Sequence, residues 1–373
     1  MFFLRMLCYL IVLLLSAYSL LRYFYLFQRN RIPNAVYIIG NLILLLNLYV
    51  CYYKVPWIPD EMLRDVLQGI SAVYLSILLY TPVFCFLRGI IRFFGKRKKR
   101  QGKIYKFFNH PAKTIYIILV LTALIGGFSI YNMRHITVTE YKAEVAKTSE
   151  REALTIVYAA DTHIGSAVTR NGVKRLVEQI NALGADMIIL GGDIFDRNTT
   201  DSLKAYTGEE FKKLKAKEGI YYVEGNQELR LKEDVTPYFK NAGITVLQDQ
   251  SVRLTDGIQL VGLRDSADKK KISPEQLLSG IDTEQPVLVL SHRPKDLELL
   301  SRAGADLVLC GHTHGGQYPL GFLAALAAND MNYGIKKYGT MTAVTTSGAG
   351  GDGIPSKLTV PSEIVKLTVT FQK

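Results

Sequence analysis

Five short signatures gather the side chains of this chain best suited to hold metal ions: Asp161-Thr162-His163, Gly192-Asp193, Gly225-Asn226, Ser291-His292 and Gly311-His312-Thr313-His314-Gly315-Gly316-Gln317. Only six histidines occur in 373 residues, and four of them fall inside these signatures. Imidazole and carboxylate together suit Mn, Fe, Zn or Ni better than Mg or Ca. The chemistry on offer is therefore that of bound cations, which polarise oxygens and make water acidic enough to act as a nucleophile. No serine or cysteine stands out as a covalent nucleophile. Cys8, Cys51 and Cys85 lie in apolar segments and Cys310 in an apolar run, which points to packing and away from a disulfide framework.

Each signature directly follows an apolar run that reads as a β-strand. Leu154–Ala160 ends at Asp161, Asp186–Leu190 runs into Gly192-Asp193, and Gly219–Val223 runs into Gly225-Asn226. Pro286–Leu290 leads to His292, and Asp306–Cys310 leads to His312. Further strands are expected at 136–145, Gln259–Leu263, Thr340–Thr346 and Ile364–Phe371. Val173, Leu176, Val177, Ile180 and Leu183 share one face of a helix over Val173–Leu183, and a second helix is expected near Leu203–Leu214. Strands alternating with helices imply an α/β domain whose chemistry sits in loops at the carboxyl ends of the strands.

The residues before about Met133 have a different character, dominated by Leu, Ile, Tyr, Phe and Val. A bilayer core of roughly 30 Å needs about 20 helical residues. Four segments qualify: Phe2–Phe27, Asn34–Tyr53, Gly69–Leu87 and Thr114–Asn132. The first is too long and aromatic for a signal peptide and lacks a small-residue cleavage site. Arg29 and Arg31 follow span one, and Lys96-Arg97-Lys98-Lys99-Arg100 with Lys103 and Lys106 follow span three. Basic loops stay cytoplasmic, so the chain after span four is expected on the extracytoplasmic side. The net charge of +12 comes in good part from these loops and reads as a topology signal, with no nucleic-acid partner expected. Arg88 to Phe94 look like an amphipathic continuation of span three. The bundle reads as an anchor, because no ionisable residue lies mid-span. The chain thus divides into a four-span transmembrane region (1–133), a stem and first strand (134–152) and a soluble domain (153–373).

In order and content, the five signatures resemble the calcineurin-like metallophosphoesterase superfamily. The closing Gly-His-Thr-His-Gly-Gly-Gln and the tail Pro361-Ser362-Glu363-Ile364 are similar to its bacterial membrane-associated phosphodiesterase branch. The resemblance covers residues 136–373. It implies a four-layer α-β-β-α sandwich and two divalent metal ions. One would be held by Asp161, His163, Asp193 and His314, and the other by Asp193, Asn226, His292 and His312, with Asp193 bridging. It implies in-line attack by a metal-bound hydroxide on phosphorus, with Gln227, Asn226 and His292 as the catalytic side chains nearest the reaction. Two cations roughly 3.5–4 Å apart need a shared anionic ligand, which a carboxylate supplies.

One position departs from the family pattern. The third signature usually reads Gly-Asn-His followed by an acid, and here it reads Gly225-Asn226-Gln227-Glu228. Glutamine donates a hydrogen bond but carries no proton to a leaving group, and general-acid help is worth about 10² to 10⁴ in rate. The expected function is a membrane-anchored, metal-dependent phosphodiesterase acting on a lipid-linked or cell-envelope phosphoester. The alternative is a catalytically attenuated sensor or scaffold. His110 and His135 read as interfacial, Arg197 and Asp196 as loop ion-pair residues, Arg293 as a phosphate contact or surface charge, and Asp265 as structural. Gly348, Gly350 and Gly351 fit either a phosphate cradle or a tight turn. The apolar segment Pro319–Ala328 fits either a core helix or a flap that dips into the bilayer.

Overall fold

A computed structural model describes residues 13–25, 33–58, 60–97, 103–231 and 233–372. The chain separates into two compact units, Met1–Tyr131 and Asn132–Lys373. The first unit is helical: α1 (13–25), α2 (Asn34–Tyr53), α3 (Glu61–Arg97), α4 (Lys103–Asn109) and α5 (Pro111–Arg134, whose last residues belong to the second unit). Among the described residues, three helices are long and apolar enough to cross a membrane: Asn34–Tyr53, Glu61–Gly95 and Lys113–Arg134. Half of the predicted first span, together with Cys8, Arg29 and Arg31, lies outside the described residues, as does the middle of the basic run after span three. The predicted third span is longer than its apolar core suggests. No strong breaker stands between Glu61 and Arg97 except Pro82, so the amphipathic stretch after Leu87 continues the same helix.

The surface of this unit suits hydrocarbon. Leu42, Ile43 and Leu46 on α2 are each at least 60 % exposed, which water would oppose and lipid would not. Polar groups turn inward. Ser19 Oγ donates to Leu78 O at 2.7 Å, and Asn47 Nδ2 donates to Leu67 O at 2.9 Å and to Ser71 Oγ at 2.8 Å. Interhelical hydrogen bonds of this kind replace water where none is available.

The second unit holds twelve strands: β1 (Thr137–Thr148), β2 (Ala153–Ala159), β3 (Met187–Leu190), β4 (Ile220–Tyr222), β5 (Thr245–Val246), β6 (Gln250–Arg253), β7 (Gln259–Gly262), β8 (Val287–Leu290), β9 (Leu307–Cys310), β10 (Gly334–Tyr338), β11 (Met341–Thr345) and β12 (Glu363–Gln372). Its helices are α6 (Arg170–Ala182), α7 (Asp201–Phe211), α8 (Thr236–Lys240), α9 (Pro274–Leu278), α10 (Leu297–Arg302) and α11 (Pro319–Ala328). Two mixed six-stranded sheets result, ordered β1-β12-β2-β3-β4-β5 and β10-β11-β9-β8-β7-β6. β2, β3 and β4 run parallel in one sheet, and β7, β8 and β9 run parallel in the other. Carboxyl ends therefore gather along one edge of each sheet.

Alternation sorts the core. Ile156, Tyr158, Met187 and Ile189 of the first sheet join Leu260, Leu288 and Leu309 of the second in one buried cluster. The opposite sides of β2 and β3, with Val157, Ile188 and Leu190, pack on Val173, Leu176, Val177 and Ile180 of α6. Val289 and Val308 pack on Leu297 and Leu300 of α10. Strands buried on both faces read as continuous apolar runs, which is why they were visible in sequence.

Candidate metal centre

The strand ends place the chemistry. Beyond β2 lie Asp161 and His163, beyond β3 Asp193, and beyond β4 Asn226; the second sheet supplies His292 beyond β8 and His312 and His314 beyond β9. The two edges meet. His312 N donates to Asp161 Oδ2 at 2.9 Å, and His292 Nδ1 pairs with Gly191 O at 2.8 Å. Two groups able to hold a metal ion result: Asp161, His163 and His314, and Asp193, His292 and His312. Asp193 Oδ2 stands between them, 3.3 Å from His292 Nε2 and 3.9 Å from His163 Nε2. Asn226 is buried on the loop that carries Gly225, and Gln227 is buried beside it with its N–H donating to Asp193 Oδ1 at 2.7 Å.

The backbone is strained at these residues. Asp161, His163, Asp193, His312 and His314 all have φ between 46° and 72°, a left-handed conformation that costs L-residues roughly 1–2 kcal/mol each. Strain gathered on five ligand-type side chains, with the rest of the fold holding it, marks a site built for geometry at the expense of stability. Gly192 shows how tightly it is built, because a Cβ there would lie 2.8 Å from His292 Nδ1.

Charge and burial act on the same groups. Burial raises the Asp161 carboxyl, and it stands at about 6 although His292 and His163 pull it down. Burial would also raise Asp193, but the neighbouring His292 and His163 charges outweigh it and hold it well below the usual carboxylate range. Burial lowers imidazolium, yet Asp193 pulls His292 up to about 10, and Asp196 and Asp193 pull His163 up to about 9. Loss of solvent and the neighbouring cations hold His314, which is buried, and His312, which is half-buried, well below the ordinary value. The carboxylates thus draw positive charge into the site. Buried His163 Nε2, His292 Nε2, His314 Nδ1 and Asn226 Oδ1 have no hydrogen-bond partner. Buried imidazole nitrogens and an amide oxygen with no hydrogen-bond partner, together with the carboxylates of Asp161 and Asp193, form a donor set that fits divalent cations.

The supporting shell contains residues whose roles sequence does not announce. Glu228 Oε1 accepts from Ile194 N at 2.6 Å and Phe195 N at 2.9 Å, and Oε2 accepts from Asp193 N and Gly225 N, each at 3.0 Å. One carboxylate thereby ties the loop after β3 to the loop after β4. Burial and the Asp193 charge push it up to about 7 against those N–H groups. Asp196 Oδ2 faces His163 Nδ1 at 3.6 Å. Lys357 is fully buried, and its Nζ donates to Ser347 O and to Gly348 O at 2.9 Å. That turn lies against the first ligand, with Gly350 N donating to Asp161 O at 3.0 Å. Gly348 and Gly350 permit this approach. Arg293 is committed to Asp265, Nε to Oδ2 at 2.8 Å, and Arg197 stands 3.8 Å from Asp352. Tail residue Glu363 accepts from Thr346 Oγ1 at 2.8 Å and Ser347 N at 2.9 Å, which fixes the other side of the turn.

Residues 154–316 match the family described as calcineurin-like phosphoesterase. An uncharacterized metallophosphoesterase of Helicobacter pylori (strain J99) is 34 % identical over 221 residues, which are 57 % of this chain and 59 % of that protein. A transmembrane protein with metallophosphoesterase domain from Danio rerio is 26 % identical over 342 residues, covering 86 % of this chain and 77 % of its own. Phosphodiesterase YaeI of Escherichia coli is 29 % identical over 211 residues, 52 % of this chain and 74 % of that one. The chain thus spans well under two thirds of the Helicobacter relative and most of the Danio one. The strand-end signatures, the paired ligand groups and these relatives point the same way: residues 154–316 are similar to the calcineurin-like phosphoesterases.

Proposed function

We propose that the protein is a multi-pass membrane phosphodiesterase, with its α-β-β-α domain on the extracytoplasmic side, that hydrolyses a lipid-linked or cell-envelope phosphoester at a dinuclear centre. The observation that carries this reading is Asp193, one of whose oxygens faces a histidine of each ligand group. A shared anionic oxygen is what two closely spaced cations require. Asp161, His163, Asp193 and His314 would hold one ion, and Asp193, Asn226, His292 and His312 the other. Bound there, the ions supply Lewis acidity to the phosphoryl oxygens and acidify the attacking water.

The chain's own residues then set geometry and proton traffic. His292, fixed through Nδ1 on Gly191 O, presents Nε2 in one tautomer. Asn226 contributes a neutral oxygen donor, which leaves the centre more positive than a third carboxylate would. Gln227 offers an amide where a proton carrier would assist departure, so leaving groups that depart as stable anions, phosphate or phenolate, are favoured over alkoxides. Gln227 is also the one observation that favours the alternative, a catalytically attenuated sensor or scaffold.

The test is hydrolysis of bis-p-nitrophenyl phosphate and p-nitrophenyl phosphate by the intact Mn-loaded protein, beside the double variant Asp193→Asn, His312→Ala. Metal-dependent diester cleavage that disappears in the double variant is expected. Bound metal with no turnover of either ester, also after Gln227→His, would replace the enzyme reading with the sensor.

A further inference from the structure

We infer that α11 is a bilayer-docking helix, by which the candidate metal centre takes its phosphoester from the surface of the same membrane that α5 crosses. The inference rests on the membrane-phosphodiesterase reading above and names the surface that would serve it. α11, Pro-Leu-Gly-Phe-Leu-Ala-Ala-Leu-Ala-Ala, contains no charged or hydrogen-bonding side chain. Leu323 is 63 % exposed and Leu326 54 %. An apolar helix turned outward from a soluble domain gains little from burial in its own fold.

α11 is also fixed beside the ligands. It begins three residues after Gly316, in the turn that carries His314. Gly316 lies so close to the Phe322 backbone that any side chain there would collide. Leu358 N donates to Gln317 O at 2.8 Å and Thr359 Oγ1 to Gly315 O at 2.9 Å, so the turn is held from the other side as well.

The path of the chain identifies the occupant. Asn132 and Met133, the end of α5, belong to the phosphoesterase unit. Ser362 N donates to Asn132 O at 3.0 Å, and a Cβ on Gly351 would lie 2.6 Å from Met133 Cε. Next to Gly351, Asp352 O accepts from Gln317 Nε2 at 3.1 Å, immediately before α11. Gly350, on the other side, donates to the backbone of Asp161. One chain of contacts therefore runs from the end of an apolar, span-length helix to both α11 and a candidate metal ligand. A span ends at the bilayer surface, so covalent continuity brings α11 to that surface. At ten residues α11 is about 15 Å long, half of a roughly 30 Å hydrocarbon core. It suits the interfacial plane, with Leu323 and Leu326 in the acyl boundary.

The experiment uses the intact protein in phosphatidylcholine vesicles. In a Cys8→Ser background, Leu323→Cys carries a nitrobenzoxadiazole probe, and Lys174→Cys, on the exposed face of α6, is the reference; Cys51, Cys85 and Cys310 are buried. Phosphatidylcholine bearing a shallow doxyl group is expected to quench the probe at 323 and not at 174. Equal quenching at both positions overturns the proposal. The double variant Leu323→Asp, Leu326→Asp gives the second readout. It is expected to keep its turnover of soluble bis-p-nitrophenyl phosphate while cleavage of a p-nitrophenyl phosphatidate in the same vesicles falls about tenfold or more. Equal loss or equal retention on both esters overturns docking and leaves the phosphoesterase reading intact. Quenching at 323 with no hydrolysis of either ester supports docking and sinks the enzyme reading.

Discussion

His292 and His163 are both fully buried beside Asp193, yet their rings are held differently. His292 has its Nδ1 on a carbonyl 2.8 Å away, and the loops around it are tied by the four N–H groups that Glu228 accepts. His163 has no hydrogen bond on either nitrogen; its nearest anchor is Asp196 at 3.6 Å. The group around His292 is therefore largely in place before a cation arrives. The group around His163 shares the left-handed backbone of its neighbour but leaves the ring of His163 without a hydrogen bond, for the cation to fix. Preorganised ligands lose less entropy on binding, so the two sites are expected to differ in affinity, with the His292 side the tighter.

The most damaging way to break that comparison is Glu228→Gln. The amide presents N–H to backbone N–H, and two or more buried donors lose their acceptor. At about 1–3 kcal/mol per unsatisfied buried donor, stability is expected to fall by roughly 2–6 kcal/mol. In thermal unfolding of the intact protein the soluble unit should melt far earlier. Metal analysis should show the His292-side ion lost together with this change. An unchanged melting temperature would mean that Glu228 is a spectator.

Asp196→Asn sharpens the contrast from the other side. Orienting partners of metal-bound histidine are typically worth 10–100-fold in metal affinity. Competition titration with a chelator should show the weaker ion released at about 10–100-fold lower chelator concentration, with the tighter ion unmoved. If both ions weaken equally, Asp196 does not act through His163 alone, and the two groups are not separable.

What made the site legible in sequence was its position. Asp161, Asp193, His292 and His312 each follow a strand that is apolar on both faces, so a short run of Val, Ile and Leu announced the element and its end. The same rule failed where strands are short or half-exposed. β5 has two residues, β6 (Gln-Ser-Val-Arg) is largely exposed, and β10 (Gly-Ile-Lys-Lys-Tyr) reads as a surface loop until its pairing with β11 is seen. Three short helices, α8 to α10, span too few turns for a period to register. Among supporting residues, Glu228 was visible as a type inside its signature, but its four donors come from two loops that only the fold brings together. The apolar segment at 319–328, which fits either a core helix or a flap by sequence, is a helix. Its outward face was not decided by periodicity, because nearly every residue in it is apolar.

Lys357 is the clearest case of a residue whose sequence says one thing and whose setting says another. A lone lysine among Ser, Leu and Thr reads as solvated, yet it is fully buried, with its ammonium on two carbonyls of the turn that backs Asp161. Burial drives its pKa down to about 7, against the pull of Asp161 and Glu363. With the folded value below the unfolded 10.5, the unfolded chain binds the extra proton between those limits. Stability therefore rises with pH from about 7 toward 10.5, and the penalty for the buried ammonium is fully present below 7. The limiting slope is about 1.4 kcal/mol per pH unit. Lys357→Met, which removes the titration, is expected to flatten the rise in melting temperature between pH 7 and 9 that the parent protein shows. Because His163 and Asp161 stand on the side of the site that this turn supports, the variant should also lose the weaker ion first. Parallel pH profiles for parent and variant would show that the lysine keeps its ordinary proton affinity. The turn would then be held by the carbonyl contacts and Glu363 alone.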